Sequence, residues 1–186
     1  LPIVVADINS ENIFENHSLY LSYIQKLKND SKIIITFEDL VDYPFSADIV
    51  LIPYAGAEKL KLNRDKKVTY LLGPSYFPVR NEFKINKRPF ISKKAKKILI
   101  TMGGSDPSKI TLLVLNSLKN NEHKLDFTIL IGPASKIKNE EVEKILENYT
   151  GNYHIIRNIN NISSLIYNSD IIISNSGLTK YEIALV

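Results

Sequence analysis

Two spacings of apolar residues take turns along the chain. Short runs dominated by Ile, Val, Leu and Thr, bounded by polar or turn-forming residues, have the length of buried strands: 2–6, 32–37, 48–52 and 68–72 in the first half. Between the first two, Ile13, Leu19, Tyr20, Tyr23, Ile24 and Leu27 fall on one side of a segment from about Glu11 to Asn29, which predicts an amphipathic helix. The second half repeats the rhythm more regularly. Strands are expected at 97–102, 126–131, 153–157 and 170–174, with helices at 108–120, 138–149, 161–168 and from about 177 onward. Strands that alternate with helices predict an α/β fold built on mainly parallel sheets with helices on both faces.

The rhythm breaks at residues 84–96, KINKRPFISKKAK, a polar and lysine-rich stretch that reads as a linker. The expected organisation is therefore a first Rossmann-like domain over 1–83, the linker 84–96, and a second Rossmann-like domain over 97–186. The first is expected to be incomplete, short of its opening β-α units, and the second truncated at its C-terminus. The only methionine is Met102, and the chain starts on a strand and stops in a helical pattern. It is thus expected to be a piece of a longer protein.

Composition narrows the chemistry. With 44% hydrophobic residues, 186 residues can bury a substantial core. No apolar run approaches the roughly 18 residues of a membrane helix, so no membrane span is expected and the compartment expected is the cytoplasm. Zero cysteines exclude disulfides and thiolate chemistry, and His17, His123 and His154 are too scattered for metal ligation, so neither a metal nor a cofactor is expected. Lysine and arginine total 24 against 20 acidic residues, and the one lysine cluster, Lys93, Lys94, Lys96 and Lys97, sits at the linker end. Nucleic acid is not an expected partner. None of the histidines has a plausible nucleophile or carboxylate beside it in sequence.

Three stretches carry candidate chemistry. In ITMGGSDPSK (100–109), Gly103 and Gly104 follow a strand directly, where a missing Cβ lets backbone N–H groups approach a ligand. Asp106 is expected as the helix N-cap with Pro107 at the first helical position. The turn serves either as an anion cradle or simply as a tight turn, with Asp106 competing for the anion's place. In IIISNSGLTKYE (171–182), Asn175, Ser176, Gly177 and Thr179 open the last helix, where N–H groups and hydroxyls converge, and Glu182 sits a turn deeper. A carboxylate there can accept hydrogen bonds from a ribose diol; equally, Glu182 can be a surface residue of a capped helix. In LLGPSYFPVRNEF (71–83), Arg80 offers a fork for phosphate or sugar and Tyr76 a stacking or hydrogen-bonding ring; the other reading is domain-closing packing with an Arg80–Glu82 pair. In IRNINNISSLI (156–166) the asparagines either cap a helix or expose backbone to a base edge.

Four blocks in this order, YLLGPSYFPVRNEF, ILITMGGSDPSKITLLVLNSL, TILIGP and IIRNINNISSLIYNSDIIISNSGLTKYEIAL, resemble the UDP-sugar hydrolases of pseudaminic acid biosynthesis and related polysaccharide-biosynthesis proteins. That family is similar in fold to the two-Rossmann-domain (GT-B) glycosyltransferases. The resemblance implies a UDP-sugar substrate. It implies that Gly103, Gly104 and Ser105 line the cleft, that Arg157, Asn158 and Ile159 face the uracil through their backbone, and that Ser176, Gly177 and Thr179 meet the diphosphate. Glu182 would take the ribose hydroxyls, and Tyr76 and Arg80 would lie near the sugar. The family's catalytic histidine, in an N-terminal Gly-x-Gly-His motif, is absent here, so the catalytic group is expected outside this chain and the chain itself is expected to be inactive. Where the family has paired glycines after its last strand, this chain has SNSG. A UDP-dependent glycosyltransferase and a non-catalytic sugar-nucleotide-binding domain are the alternative expectations.

Overall fold

A computed structural model describes residues 3–7, 17–30, 33–37, 47–61, 65–83, 92–175 and 177–186. The chain divides into two compact units, Leu1–Pro78 and Val79–Val186. Of the expected linker, residues 84–91 lie outside the described residues; the segment before it, with its short 3-10 turn Asn81–Phe83, belongs to the second unit.

The first unit holds β1 (Ile3–Asp7), β2 (Ile33–Phe37), β3 (Ile49–Ile52) and β4 (Thr69–Leu72) in one parallel sheet of order β1-β2-β3-β4. Each strand is laid beside its predecessor in the same direction, so with constant handedness α1 and the described part of the β3–β4 connection fall on one face. That is the face that is filled. Ile34, Val50 and Ile52 pack there with Ile24 of α1 (His17–Asp30) and Ala57 of the β3–β4 connection. On the other face of β1 and β2, Ile3, Val5 and Ile33 are exposed.

The second unit is the β-α repeat that the sequence predicts: β5 (Lys97–Thr101), α2 (Ile110–Leu118), β6 (Asp126–Ile131), α3 (Asn139–Ile145), β7 (Tyr153–Arg157), α4 (Ser163–Tyr167), β8 (Ile171–Ser174) and α5 (Thr179–Ile183). Its four strands are parallel in the order β7-β6-β5-β8. The chain steps outward from β5 to β6 to β7, then crosses back over the sheet to lay β8 on the other side of β5. With handedness constant, a reversed step puts the crossover on the opposite face.

The side-chain alternation of the strands shows this division. Ile98, Ile100, Phe127, Ile129 and Ile131 point to the face covered by α2 and α3, where Leu115, Val142 and Leu146 meet them. Leu99 and Leu130 point to the other face, against Ile166 of α4, Ile183 of α5 and Phe83. Because both faces are covered, β5 reads as an unbroken apolar run rather than an alternating one. Phe83 is among the largest fully buried side chains. Its burial contributes about 2–3 kcal/mol and anchors the 79–83 segment to this face.

One carboxylate fastens the start of the sheet. Asp170, just before β8, accepts the backbone N–H groups of Lys96 and Lys97 through one oxygen, each at 2.8 Å. The bonds from Lys97 first and Lys96 second hold its carboxyl below the usual carboxylate range. Asp170→Ala is expected to destabilise the second unit by about 1 kcal/mol near neutral pH, after allowing for solvent screening. Because the folded-state value is lowered, the contribution is present above the unfolded value of about 4 and disappears as pH falls through the folded one. Denaturant melts of wild type and variant should therefore converge below about pH 4; a gap unchanged between pH 7 and pH 3 would contradict this account.

Candidate functional site

The reversal between β5 and β8 leaves a crevice at the carboxyl ends of the strands, the place where open α/β sheets take ligands. A cavity of about 570 Å³ lies there, lined by Thr101, Gly103 and Gly104 after β5, Leu130 to Pro133 at the end of β6, Asn158, Ile159, Asn160 and Ile162 after β7, Thr179 of α5, and Arg80. All of these residues belong to the second unit. The volume falls within the usual range of small-ligand sites.

Three turns build its floor from bare backbone. Gly103 has φ 79°, in the left-handed region that favours glycine, and a Cβ at Gly103 or Gly104 would meet nothing within 4 Å. Beside them the constraint is severe. A Cβ on Gly132 would lie 2.1 Å from the Gly103 carbonyl oxygen and 2.4 Å from that of Gly104. The Gly104 carbonyl also accepts a hydrogen bond of 2.9 Å from the Ala134 N–H. The turns after β5 and β6 are thus locked together at a distance only glycine permits.

Asp106 differs from the sequence expectation. It is not the residue that immediately precedes the helix, and Pro107 is not its first residue: α2 begins at Ile110. Asp106 (φ 42°) and Lys109 (φ 50°) are both left-handed, and the intervening turns carry the buried Asp106 carboxylate back under the helix end. Its two oxygens accept the N–H groups of Ile110 at 2.8 Å and Thr111 at 3.0 Å. The N-terminus of α2 therefore already holds an anion, the protein's own.

After β7, Asn158 is left-handed (φ 53°) and lines the cavity with Ile159. The Arg157 side chain leaves in another direction. Its Nε donates to Asn139 Oδ1 at 2.9 Å and its Nη2 to the Ile137 carbonyl, at the start of α3. The asparagines of this stretch divide their labour: Asn161 Oδ1 accepts the Ser163 N–H at 2.9 Å and hydroxyl at 2.6 Å to cap α4, while Asn158 and Asn160 face the cavity.

The charged wall comes from two sequence-distant residues. Arg80 donates from Nε to Glu182 Oε1 at 2.8 Å and from Nη2 to Oε2 at 3.2 Å, a side-on fork across 102 positions. Its Nη1 lies 3.0 Å from Glu82 Oε1, and its guanidinium carbon sits 4.9 Å from the centre of the Phe83 ring. The Glu182 hydrogen bond, ahead of the opposing effect of burial, raises Arg80 above its ordinary value, so it is cationic at any working pH. Glu182 is only 8% exposed, whereas the Arg80 side chain is 53% exposed at the cavity.

Of the residues singled out from sequence, Gly103, Gly104, Asn158, Ile159, Thr179 and Arg80 come together around the cavity. Glu182 stands behind Arg80, buried; Ser105 and Gly177 are in the adjoining turns and do not line it. Tyr76 belongs to the first unit, and Ser176 lies outside the described residues. Sequence reasoning missed Gly132, Pro133 and Asn160. Gly132 had a signal, since it follows β6 as Gly103 nearly follows β5, but its clash partners Gly103 and Gly104 are 29 and 28 residues away in sequence and invisible there. None of the described histidines lines the cavity: His17 opens α1 in the first unit, His123 is exposed in a turn and His154 lies on the first half of β7. Among the described residues no group of three metal-ligating side chains occurs, and no helix is long and apolar enough to cross a membrane.

Residues 98–180, from β5 to the opening of α5, match the family model for the glycosyltransferase family 28 C-terminal domain. The span supports the similarity to glycosyltransferases of the two-Rossmann-domain type; Arg80 and Glu182 lie on either side of it. The chain is also 33% identical over 145 residues to an uncharacterized protein of Methanocaldococcus jannaschii, across 73% of this chain and 30% of that one. It therefore spans less than a third of that relative's length.

Two substitutions test the scaffold. Gly132→Ala forces backbone apart, and is expected to cost about 2–4 kcal/mol and to displace the Gly103–Gly104 turn; a melting curve within error of wild type would refute the contact. Asp106→Ala uncaps α2 and is expected to cost about 1–2 kcal/mol, with amide exchange of Ile110 and Thr111 accelerating before that of the β5 amides.

Proposed function

We propose that the second unit is the nucleotide-diphosphate half of a sugar-nucleotide site, and that the whole protein releases UDP from a UDP-activated amino sugar by hydrolysis. The observation that carries the reading is the cavity at the β5–β8 reversal, whose lining residues other than Arg80 all fall within the span that matches a glycosyltransferase domain. The base would lie against the backbone of Asn158 and Ile159. The family resemblance gives the ribose hydroxyls to Glu182, which stands buried behind Arg80 and would have to be reached past it. The diphosphate would reach the opening of α5, where Gly177 and Thr179 leave room for backbone approach, with Arg80 as the nearby cation. The occupied N-terminus of α2 favours this end over the Gly103–Gly104 end for the phosphates, because Asp106 opposes a second anion there.

In hydrolysis, a base-activated water attacks the anomeric carbon as the bond to the β-phosphate oxygen breaks, and charge builds on the departing UDP. Donors at α5 and the Arg80 guanidinium meet that charge, each worth about 3 kcal/mol in comparable sites. The residue that activates the water is expected outside this chain, as the family resemblance implies. Transfer to an acceptor other than water is the second reading, favoured by the transferase family that residues 98–180 match.

Calorimetric titration of this chain with UDP is expected to show binding at micromolar to low-millimolar strength, weakened about tenfold or more by Glu182→Ala. A folded chain that ignores UDP would remove the reading. In the whole protein, release of UDP without any acceptor supports hydrolysis; release only when an acceptor is added supports transfer.

A further inference from the structure

Among the described residues that line the cavity, Thr101 has the one buried polar side chain, 3% exposed. It ends β5, which is buried at every position after Lys97, and its register partners are Leu130 of β6 and Ser174 of β8, so it lies at the floor of the crevice. By strand alternation it points to the same face as Leu99, the face covered by Phe83 and Ile166. An interior strand position that continues an apolar run and favours β-branching suits valine. The chain has a hydroxyl there instead.

That hydroxyl makes no hydrogen bond to any described residue. Other buried polar groups of the same unit are used inside the fold: Asp106 holds the end of α2, Ser163 donates to Asn161, and Glu182 is forked by Arg80. Thr101 instead borders the cavity, so in the free protein its hydroxyl can be met only by solvent entering the crevice. Leu130, Ile131, Ile159 and Ile162 line the same cavity with aliphatic carbon, which disfavours a phosphate against the floor and suits a flat, neutral group with one hydrogen-bonding edge. In a nucleotide that group is the nucleoside.

We propose that the Thr101 hydroxyl is a direct contact to the nucleoside part of the ligand, kept at a strand position where the fold alone is served as well or better by valine. The proposal rests on the UDP reading above and adds to it a contact residue that the fold itself does not use. Beside aliphatic walls a hydrogen bond to the ligand is strong, and its loss leaves a polar group of the ligand unpaired in a site with little water. Affinity and stability therefore pull in opposite directions at this residue.

The test is calorimetric titration of this chain with UDP and with UMP, for wild type, Thr101→Val and Thr101→Ser, with a melting curve of each chain free of nucleotide. Valine keeps the shape and removes only the hydroxyl; serine keeps the hydroxyl and removes a methyl. Thr101→Val is expected to melt at the wild-type temperature or up to about 2–4 °C above it, and to bind both nucleotides about five- to tenfold more weakly. Thr101→Ser is expected to melt lower, because the lost methyl leaves a gap, yet to bind UDP within about twofold of wild type. If the serine variant fails to fold, the valine variant decides. A Thr101→Val chain that binds UDP as wild type does would overturn the proposal and leave the UDP reading standing. So would a Thr101→Val chain that melts well below wild type, since the hydroxyl would then be bonded within the fold, or a serine variant that loses as much affinity as the valine one. A loss seen with UDP and not with UMP would also overturn it, by putting the hydroxyl on the β-phosphate. A folded wild-type chain that ignores UDP overturns both readings.

Discussion

The right-handed crossover, applied to a sheet whose strands change direction of addition, decides where everything else in the second unit can be. β6 and β7 are added on one side of β5 and β8 on the other, so α2 and α3 cover one face while α4 and α5 cover the opposite one. At the junction of β5 and β8 the connections diverge, and no helix can close over the strand ends. The cavity is the volume this leaves. The first unit shows the contrasting case: its four strands are added in one direction, Ile24 of α1 and Ala57 of the β3–β4 connection pack on one face, and Ile3, Val5 and Ile33 are exposed on the other.

The crevice is lined by bare backbone at its glycines together with the apolar side chains of Leu130, Ile131, Pro133, Ile159 and Ile162. Gly103, Gly104 and Gly132 bring two turns into contact closer than a side chain on Gly132 would allow, and among the described residues that line the cavity Arg80 carries the only charged side chain. The electrostatics are correspondingly local. Asp106 neutralises the end of α2 from within, Arg157 is tied to the start of α3, and Arg80 is shared by two carboxylates. A ligand entering here would find polar backbone and one guanidinium already oriented, which lowers the ordering cost of binding.

Much of this architecture could be read from the chain. The eight strands fall within a residue or two of their expected positions, because buried parallel strands are unbroken apolar runs and leave little ambiguity. The glycine pair after β5 and the small polar residues before α5 were likewise visible, since both are local signals of backbone that must turn or approach closely. The start of α2 was less legible. SDPS reads as a cap followed by a first helical turn, yet two left-handed residues delay the helix to Ile110, and Asp106 caps it from four and five residues away. Local preference was satisfied by a tertiary solution.

The sequence by itself determined the element order, the α/β class and the turns at which backbone would be bare, because each follows from apolar period or from the presence of glycine within a few residues. The pairing of Arg80 with Glu182, the lock between Gly132 and the Gly103–Gly104 turn, and the retreat of Arg157 from the cavity were decided only by the tertiary structure. Each joins residues 18 to 102 positions apart, and no local propensity records which strand will lie beside which. Whether Glu182 faces water or an arginine depends on where β8 is laid in the sheet, and that is set by the hand of the crossover, not by the residues around Glu182.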